Sequence, residues 1–160
     1  MPTPDRALRI LHWYWQAGFG GIHRIASGLS TAQGRDPGLD VRRVVGRRAA
    51  GTPADDGPGP ESLDFRHGFD FTRLRRVREA VDWADVVHMH TFNPVVAAAV
   101  LSSGKGVVYT DHGTDRHKSL RNRIVVSGLQ RTFVRRCARM VTVNSGFRRE
   151  TQRAFYEVGS

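Results

Sequence analysis

Apolar residues in this chain follow two rhythms. Short runs of Val, Ile and Leu alternate with longer stretches in which apolar positions recur every third or fourth residue. The first rhythm is that of buried strands and the second that of amphipathic helices. Residues 7–13, Ala-Leu-Arg-Ile-Leu-His-Trp, predict a first strand. Gly18-Phe19-Gly20-Gly21 follows, and then Ile22, Ile25, Ala26 and Leu29 recur at helical spacing. Leu39 to Val45 predicts a second strand. Residues 46–62 are rich in Gly, Pro, Asp and Ala and predict an exposed, mobile loop, with Leu63-Asp64-Phe65 a short edge strand beyond it. Phe71, Leu74, Val77 and Val81 mark a helix whose other faces carry arginine.

Two runs then end in histidine. One is Asp85-Val86-Val87-His88-Met89-His90, and the other is Gly106-Val107-Val108-Tyr109-Thr110-Asp111-His112-Gly113. Both predict buried parallel strands, with a helix over 94–103 between them. A long helix is expected over about 117–138. On its projection Val126, Leu129, Phe133 and Cys137 share one side, and Arg131, Arg135 and Arg139 line the other, four apart. Met140 to Val143 predicts another strand, and Asn144-Ser145 can cap a final helix over 146–156. This alternation argues for an α/β fold with a Rossmann-like, doubly wound parallel sheet. Ligands bind beyond the carboxyl ends of such strands, so the polar tips of the two histidine strands meet at the rim where a site is expected.

With 160 residues the chain forms one domain of ordinary size. Its longest apolar stretch, Pro94 to Leu101, is far too short to cross a bilayer, and the N-terminus has no signal-peptide pattern. A cytoplasmic location is the default expectation. Cys137, the single cysteine, excludes an internal disulfide and falls on an apolar helix face, where it should be inert. The formal net charge is +10, and 23 of the 25 basic residues are arginine, Lys105 and Lys118 being the lysines. Part of that bias is what codon usage in a GC-rich genome produces. A basic surface nonetheless attracts anions, whether nucleic acid, acidic lipid headgroups or phosphorylated substrates. Nucleic acid is disfavoured, because no recognition helix, zinc motif or RNA-binding aromatic signature is present.

Four places could carry chemistry. Gly18-Phe19-Gly20-Gly21 lets backbone approach a ligand and leads into a helix N-terminus that suits phosphate, although its spacing is not that of the dinucleotide fingerprint. His88 and His90, two apart on a strand, share a face. A metal would need further ligands, from Asp111, His112 or His117, and nothing in the spacing fixes them, so hydrogen bonding to sugar hydroxyls or backbone is favoured and no metal is expected. Asp111-His112-Gly113-Thr114 clusters an acid, an imidazole and a hydroxyl at a strand end, where His112 could donate to a ligand or act as acid or base. The arginines at 131, 135 and 139 are either a solvated face or a surface for anionic membrane.

Taken in order, these pieces resemble the N-terminal domain of the GT-B glycosyltransferases, specifically the retaining family 4 group. The matching residues are Arg9-Ile10-Leu11-His12, Gly20-Gly21-Ile22, Asp85 to His90, Val107 to Gly113, Cys137 to Ser145, and Phe147 to Glu150. The resemblance implies that Gly20 and Gly21 lie against phosphate. It implies that His112 contacts the transferred sugar and supports catalysis, beside Asp111, Gly113 and Thr114. It places His90 and Asn93 on the acceptor side, and it allows the Arg131/Arg135/Arg139 stripe to sit on the inner face of a membrane. The family's second domain, which carries a paired-glutamate motif and most nucleotide-sugar contacts, has no counterpart in residues 1–160. The expectation is therefore half of a cleft. It would transfer sugar from a nucleotide-sugar to an acceptor hydroxyl, on a sugar or a lipid-linked acceptor, when completed by a C-terminal domain, and would do little alone. No tightly bound cofactor is expected. A homodimer or partner complex should cover the exposed half-cleft. The rival reading is a non-catalytic module for a partner protein or anionic lipid headgroups.

Overall fold

The computed structural model describes residues 6–18, 20–49, 59–112, 120–137 and 139–142. Six parallel strands form one sheet in the order β3-β2-β1-β4-β5-β6. They are β1 (Leu8–Ala17), β2 (Leu39–Arg48), β3 (Glu61–Ser62), β4 (Val86–Met89), β5 (Gly106–Asp111) and β6 (Arg139–Thr142). Four helices connect them: α1 (Gly21–Gln33), α2 (Leu74–Trp83, entered through a 3-10 turn at Phe71–Arg73), α3 (Pro94–Ser103) and α4 (Leu120–Val134). The strand order reverses between β1 and β4, the switch point at which doubly wound sheets open a crevice.

Side-chain alternation along the strands sorts the sheet into two faces. Leu11, Trp13, Val87, Met89, Val107 and Tyr109 point to one, where they pack with Val77, Val81, Val96, Val100 and Phe133 from α2, α3 and α4. Tyr14 and Val45 point to the other, against Ala26 and Ile22 of α1, and Ala17 at the end of β1 packs with them. Helix α3 is apolar all round and correspondingly the most buried helix, with Val95, Val96, Ala97, Ala99 and Val100 inaccessible. It starts at Asn93, whose Oδ1 accepts from the Val95 and Val96 amides, with Pro94 at its first position, and stops at Gly104 in the left-handed conformation.

Several boundaries differ from the sequence pattern, each for a physical reason. Strand β1 continues past Trp13 to Ala17, because β2 runs alongside it to Arg48. Residues 46–48, expected in a loop, are therefore strand; residues 50–58 of that loop lie outside the described residues. Gly46 is there to admit an aromatic ring: a Cβ would stand 2.8 Å from Trp15 Cε3 and 2.9 Å from the Trp15 carbonyl oxygen. The edge strand is Glu61–Ser62, and Leu63 and Phe65 beyond it plug into the core instead. Phe71 is 54% exposed rather than part of the apolar helix face.

Helix α4 ends at Val134, short of the expected 138. Leu129 is 44% exposed, and Gln130 takes a buried place, donating from Nε2 to Tyr109 Oη at 2.7 Å. Arg135 falls in the turn after the helix and Arg139 opens β6, so the three arginines do not form one helical stripe. Cys137 packs half-buried against the main core, and burial pushes its thiol up to about 12, as expected of an inert cysteine. The helix expected over 146–156 lies outside the described residues.

Candidate functional site

The carboxyl ends of β1, β4 and β5 carry the site. Register pairs His12 of β1 with His88 of β4, and His88 with Val108 of β5. Paired residues in parallel strands share a face, so His12, His88, His90, Thr110 and His112 all stand on the α1 side of the sheet. His12 is fully buried and His90 is 1% exposed, and neither is without a partner. His12 Nε2 lies 2.7 Å from Gln33 Oε1 at the end of α1, and His12 Nδ1 lies 3.0 Å from His90 Nε2. His90 Nδ1 is 3.4 Å from His112 Nε2, and His88 Nε2 is 2.7 Å from Thr110 Oγ1. The His88 and His90 rings stack at 4.1 Å.

Burial is the first cause of the electrostatics here, since a charged imidazole loses its hydration. It holds His88 down to about 4 and His90 down to about 2, helped by the neighbouring imidazoles. His12 is lowered by burial and by Arg43, against the pull of Gln33. His112 is lowered by burial, partly offset by Asp111. The cluster is therefore neutral at physiological pH.

One ring nitrogen each of His12, His88 and His90 lies within 4.8 Å of the others, a grouping able to hold a transition metal. In this structure the same nitrogens form a hydrogen-bonded network: both nitrogens of His12 and Nε2 of His88 engage partners, and the His88 and His90 rings stack. His12 is the member of this group that sequence reasoning missed. The signal was in the chain, at the end of Arg9-Ile10-Leu11-His12, but its meaning depends on a strand register that no local pattern reveals.

A cleft of 470 Å³ opens beside this network, lined by His90, Asp111 and His112 with Trp15, Phe69 and Phe92 as aromatic walls. Thr91 Oγ1, also in its lining, is buried with no hydrogen-bond partner among the described residues. The loop carrying His67, Gly68 and Phe69 is fastened at both ends. Asp70 accepts from the Arg66 amide and Nε at 3.1 Å and from Thr72, and these donors hold its carboxyl well below the usual range. Asn93 Nδ2 donates to the Gly68 carbonyl at 2.9 Å. Asn93, expected as an acceptor contact, thus lines the cleft while its polar atoms cap α3 and anchor this loop.

Gly20 and Gly21 sit at the N-terminus of α1, on the same edge of the sheet, and are not part of the cleft lining. Gly20 has φ 99° and ψ 167°, a region only glycine occupies without strain, and among the described residues no side chain caps the start of α1. Asp85, at the head of its motif, serves the architecture instead. It takes two 2.7 Å bonds from Arg6 and one from the Arg9 amide, tying β4 to the start of β1. Gly113 and Thr114 lie outside the described residues. Among the described residues no helix is long and apolar enough to cross a membrane.

A family model for Glycosyltransferase Family 4 matches residues 19–157, nearly the whole chain. A comparison with curated proteins finds no match. The matched span includes α1 from Gly20, both histidine strands and every cleft-lining residue except Trp15 of β1. The chain belongs to glycosyltransferase family 4.

Proposed function

We propose that this domain is the acceptor-binding half of a retaining GT-B enzyme that moves a sugar from a nucleotide-sugar to an acceptor hydroxyl. The observation that carries the reading is the cleft at the switch point of the sheet, where a neutral His112, Asp111 and His90 border one cavity. His112 touches the transferred sugar, and the uncapped start of α1 at Gly20 and Gly21 meets phosphate. The aromatic walls Trp15, Phe69 and Phe92 receive the apolar faces of an acceptor sugar or a lipid-linked acceptor. A C-terminal donor-binding domain, on this polypeptide or another, completes the nucleotide-sugar cleft. A second copy of the chain is the other candidate to cover it.

Calorimetric titration with UDP, GDP and their sugar conjugates tests this. Saturable binding of one nucleotide-sugar, lost in His112→Ala, is the expected result. Silence with every nucleotide, combined with salt-sensitive binding to anionic vesicles, would overturn it in favour of a non-catalytic binding module.

A further inference from the structure

Three of the clustered histidines form a directed chain. It begins at an oxygen: Gln33 Oε1 can only accept, so the 2.7 Å contact with His12 Nε2 requires a proton on that nitrogen. A neutral imidazole carries one proton, so His12 Nδ1 is an acceptor. The 3.0 Å contact to His90 Nε2 must then be donated by His90, which leaves His90 Nδ1 as an acceptor. That nitrogen is 3.4 Å from His112 Nε2, a long bond that again has one polarity only, with His112 donating. Every link follows from the one before it, because His12 and His90 are buried, the half-buried His112 is neutral as they are, and these distances leave no room for a water between the rings.

We infer that Gln33, His12 and His90 are positioning residues that set the tautomer of His112, fixing its proton on Nε2 and leaving Nδ1 as a hydrogen-bond acceptor. His112 lines the cleft, and its Nδ1, without a hydrogen-bond partner among the described residues, offers a lone pair to a ligand rather than an N–H. The chemistry it selects is a donor, such as a hydroxyl. An isolated carboxylate or phosphate oxygen finds no proton there. Taken with the proposed sugar transfer, the partner is a hydroxyl of the transferred sugar; that identification rests on the proposed function, whereas the tautomer does not. The chain also links α1 to the cleft. Gln33 sits at the far end of the helix whose first turn is Gly21, so the helix that presents amides to an anion also sets the polarity of the imidazole.

The test is a long-range proton–nitrogen correlation spectrum of the uniformly 15N-labelled chain near pH 7.5, which reads each imidazole nitrogen as protonated or bare without any activity assay. Expected are Nε2–H tautomers for His12, His90 and His112. A proton on Nδ1 of any of the three breaks the chain and overturns the inference. Gln33→Glu keeps an acceptor and should preserve all three patterns. Gln33→Leu removes it, and the His90 and His112 nitrogens should move toward values averaged between protonated and bare. If they stay where they were in a chain whose amide spectrum shows it folded, the coupling is absent. His90→Phe gives an independent reading should Gln33→Leu not fold: His112 should lose its fixed tautomer while His12 keeps Nε2–H. An unchanged His112 refutes the inference. All these readings hold whether or not the domain binds a nucleotide-sugar, so a failure of the proposed function leaves them interpretable.

Discussion

Acidification should destabilise this domain well before its carboxylates protonate. His88 is held down to about 4 and His90 to about 2, both chiefly by burial. An unfolded histidine titrates near about 6.5. Between pH 6.5 and the folded values the unfolded chain therefore binds protons that the folded chain cannot, so stability is intact above about 6.5 and falls as pH drops. At pH 5 the gap to the unfolded value is about 1.5 units. At about 1.4 kcal/mol per unit this is about 2 kcal/mol for each histidine, or about 4 kcal/mol together. Because pH 5 is still above both folded values, the figure depends on the unfolded reference far more than on the depth of either shift. His12 and His112 are lowered as well and add in the same direction. Asp70 and Asp85 are also lowered, but such carboxylates lose stability only below about pH 4, so they are silent in this window. Against a total of about 5–15 kcal/mol for a typical domain, the loss is large. Urea denaturation followed by tryptophan fluorescence at pH 7.5, 6 and 5 should show the midpoint falling by roughly 2 M. His88→Gln should remove about half of that pH dependence. A midpoint that moves by less than about 0.5 M would refute the burial of neutral imidazoles.

Other perturbations follow from single contacts. Gly46→Ala should cost about 1–3 kcal/mol, because the added carbon meets the ring and backbone of Trp15 and neither can withdraw; chemical denaturation checks it, and a neutral result would place Trp15 elsewhere. Gly20→Ala should cost about 1–3 kcal/mol from its backbone angles alone, since nothing stands within 4 Å of the added carbon. Gly21→Ala, one residue on and helical, should be neutral or stabilising by up to about 1 kcal/mol, so the pair separates strain from crowding in one thermal melt series. Asn93→Ala should cost about 1–2 kcal/mol through the α3 cap and speed amide exchange at residues 66–70, whose anchor at Gly68 it removes.

What was legible in the chain was whatever depends on neighbours along it. Helix α3 and strand β5 stand where their patterns put them, because the Asn93-Pro94 start, the Gly104 stop and an unbroken Val-Val-Tyr-Thr run are local signals. His88 and His90 share a face by alternation alone. The errors came where one element answers to another. Gly46 reads as a loop breaker until Trp15 is seen lying over it, and Leu129 reads as core until the polar Gln130 is seen reaching Tyr109. Asn93 reads as a candidate acceptor contact, and the structure adds that it lines the cleft while capping α3 and bonding the Gly68 carbonyl.

The site shows the same division more sharply. His12 belongs to it only because β1 lies between β2 and β4 in a register that sets His12 against His88. A slip of one residue would turn His12 to the face that packs against α2 and α3, and bring Trp13 into the histidine cluster. That slip is prevented by groups far from the cleft. Arg6 and the Arg9 amide both hold Asp85, which locks the start of β1 to the start of β4, and Trp13 fills the apolar face. Asp85→Ala should therefore act at a distance. Beyond the lost bonds, it should loosen the alignment that makes His12 and His90 partners, and the nitrogen spectrum of His90 should broaden or average while that of His23, on α1, stays as it was. A sharp, unchanged His90 in folded Asp85→Ala would show that core packing alone sets the register and that the conspicuous acid at the head of the motif is dispensable to the site.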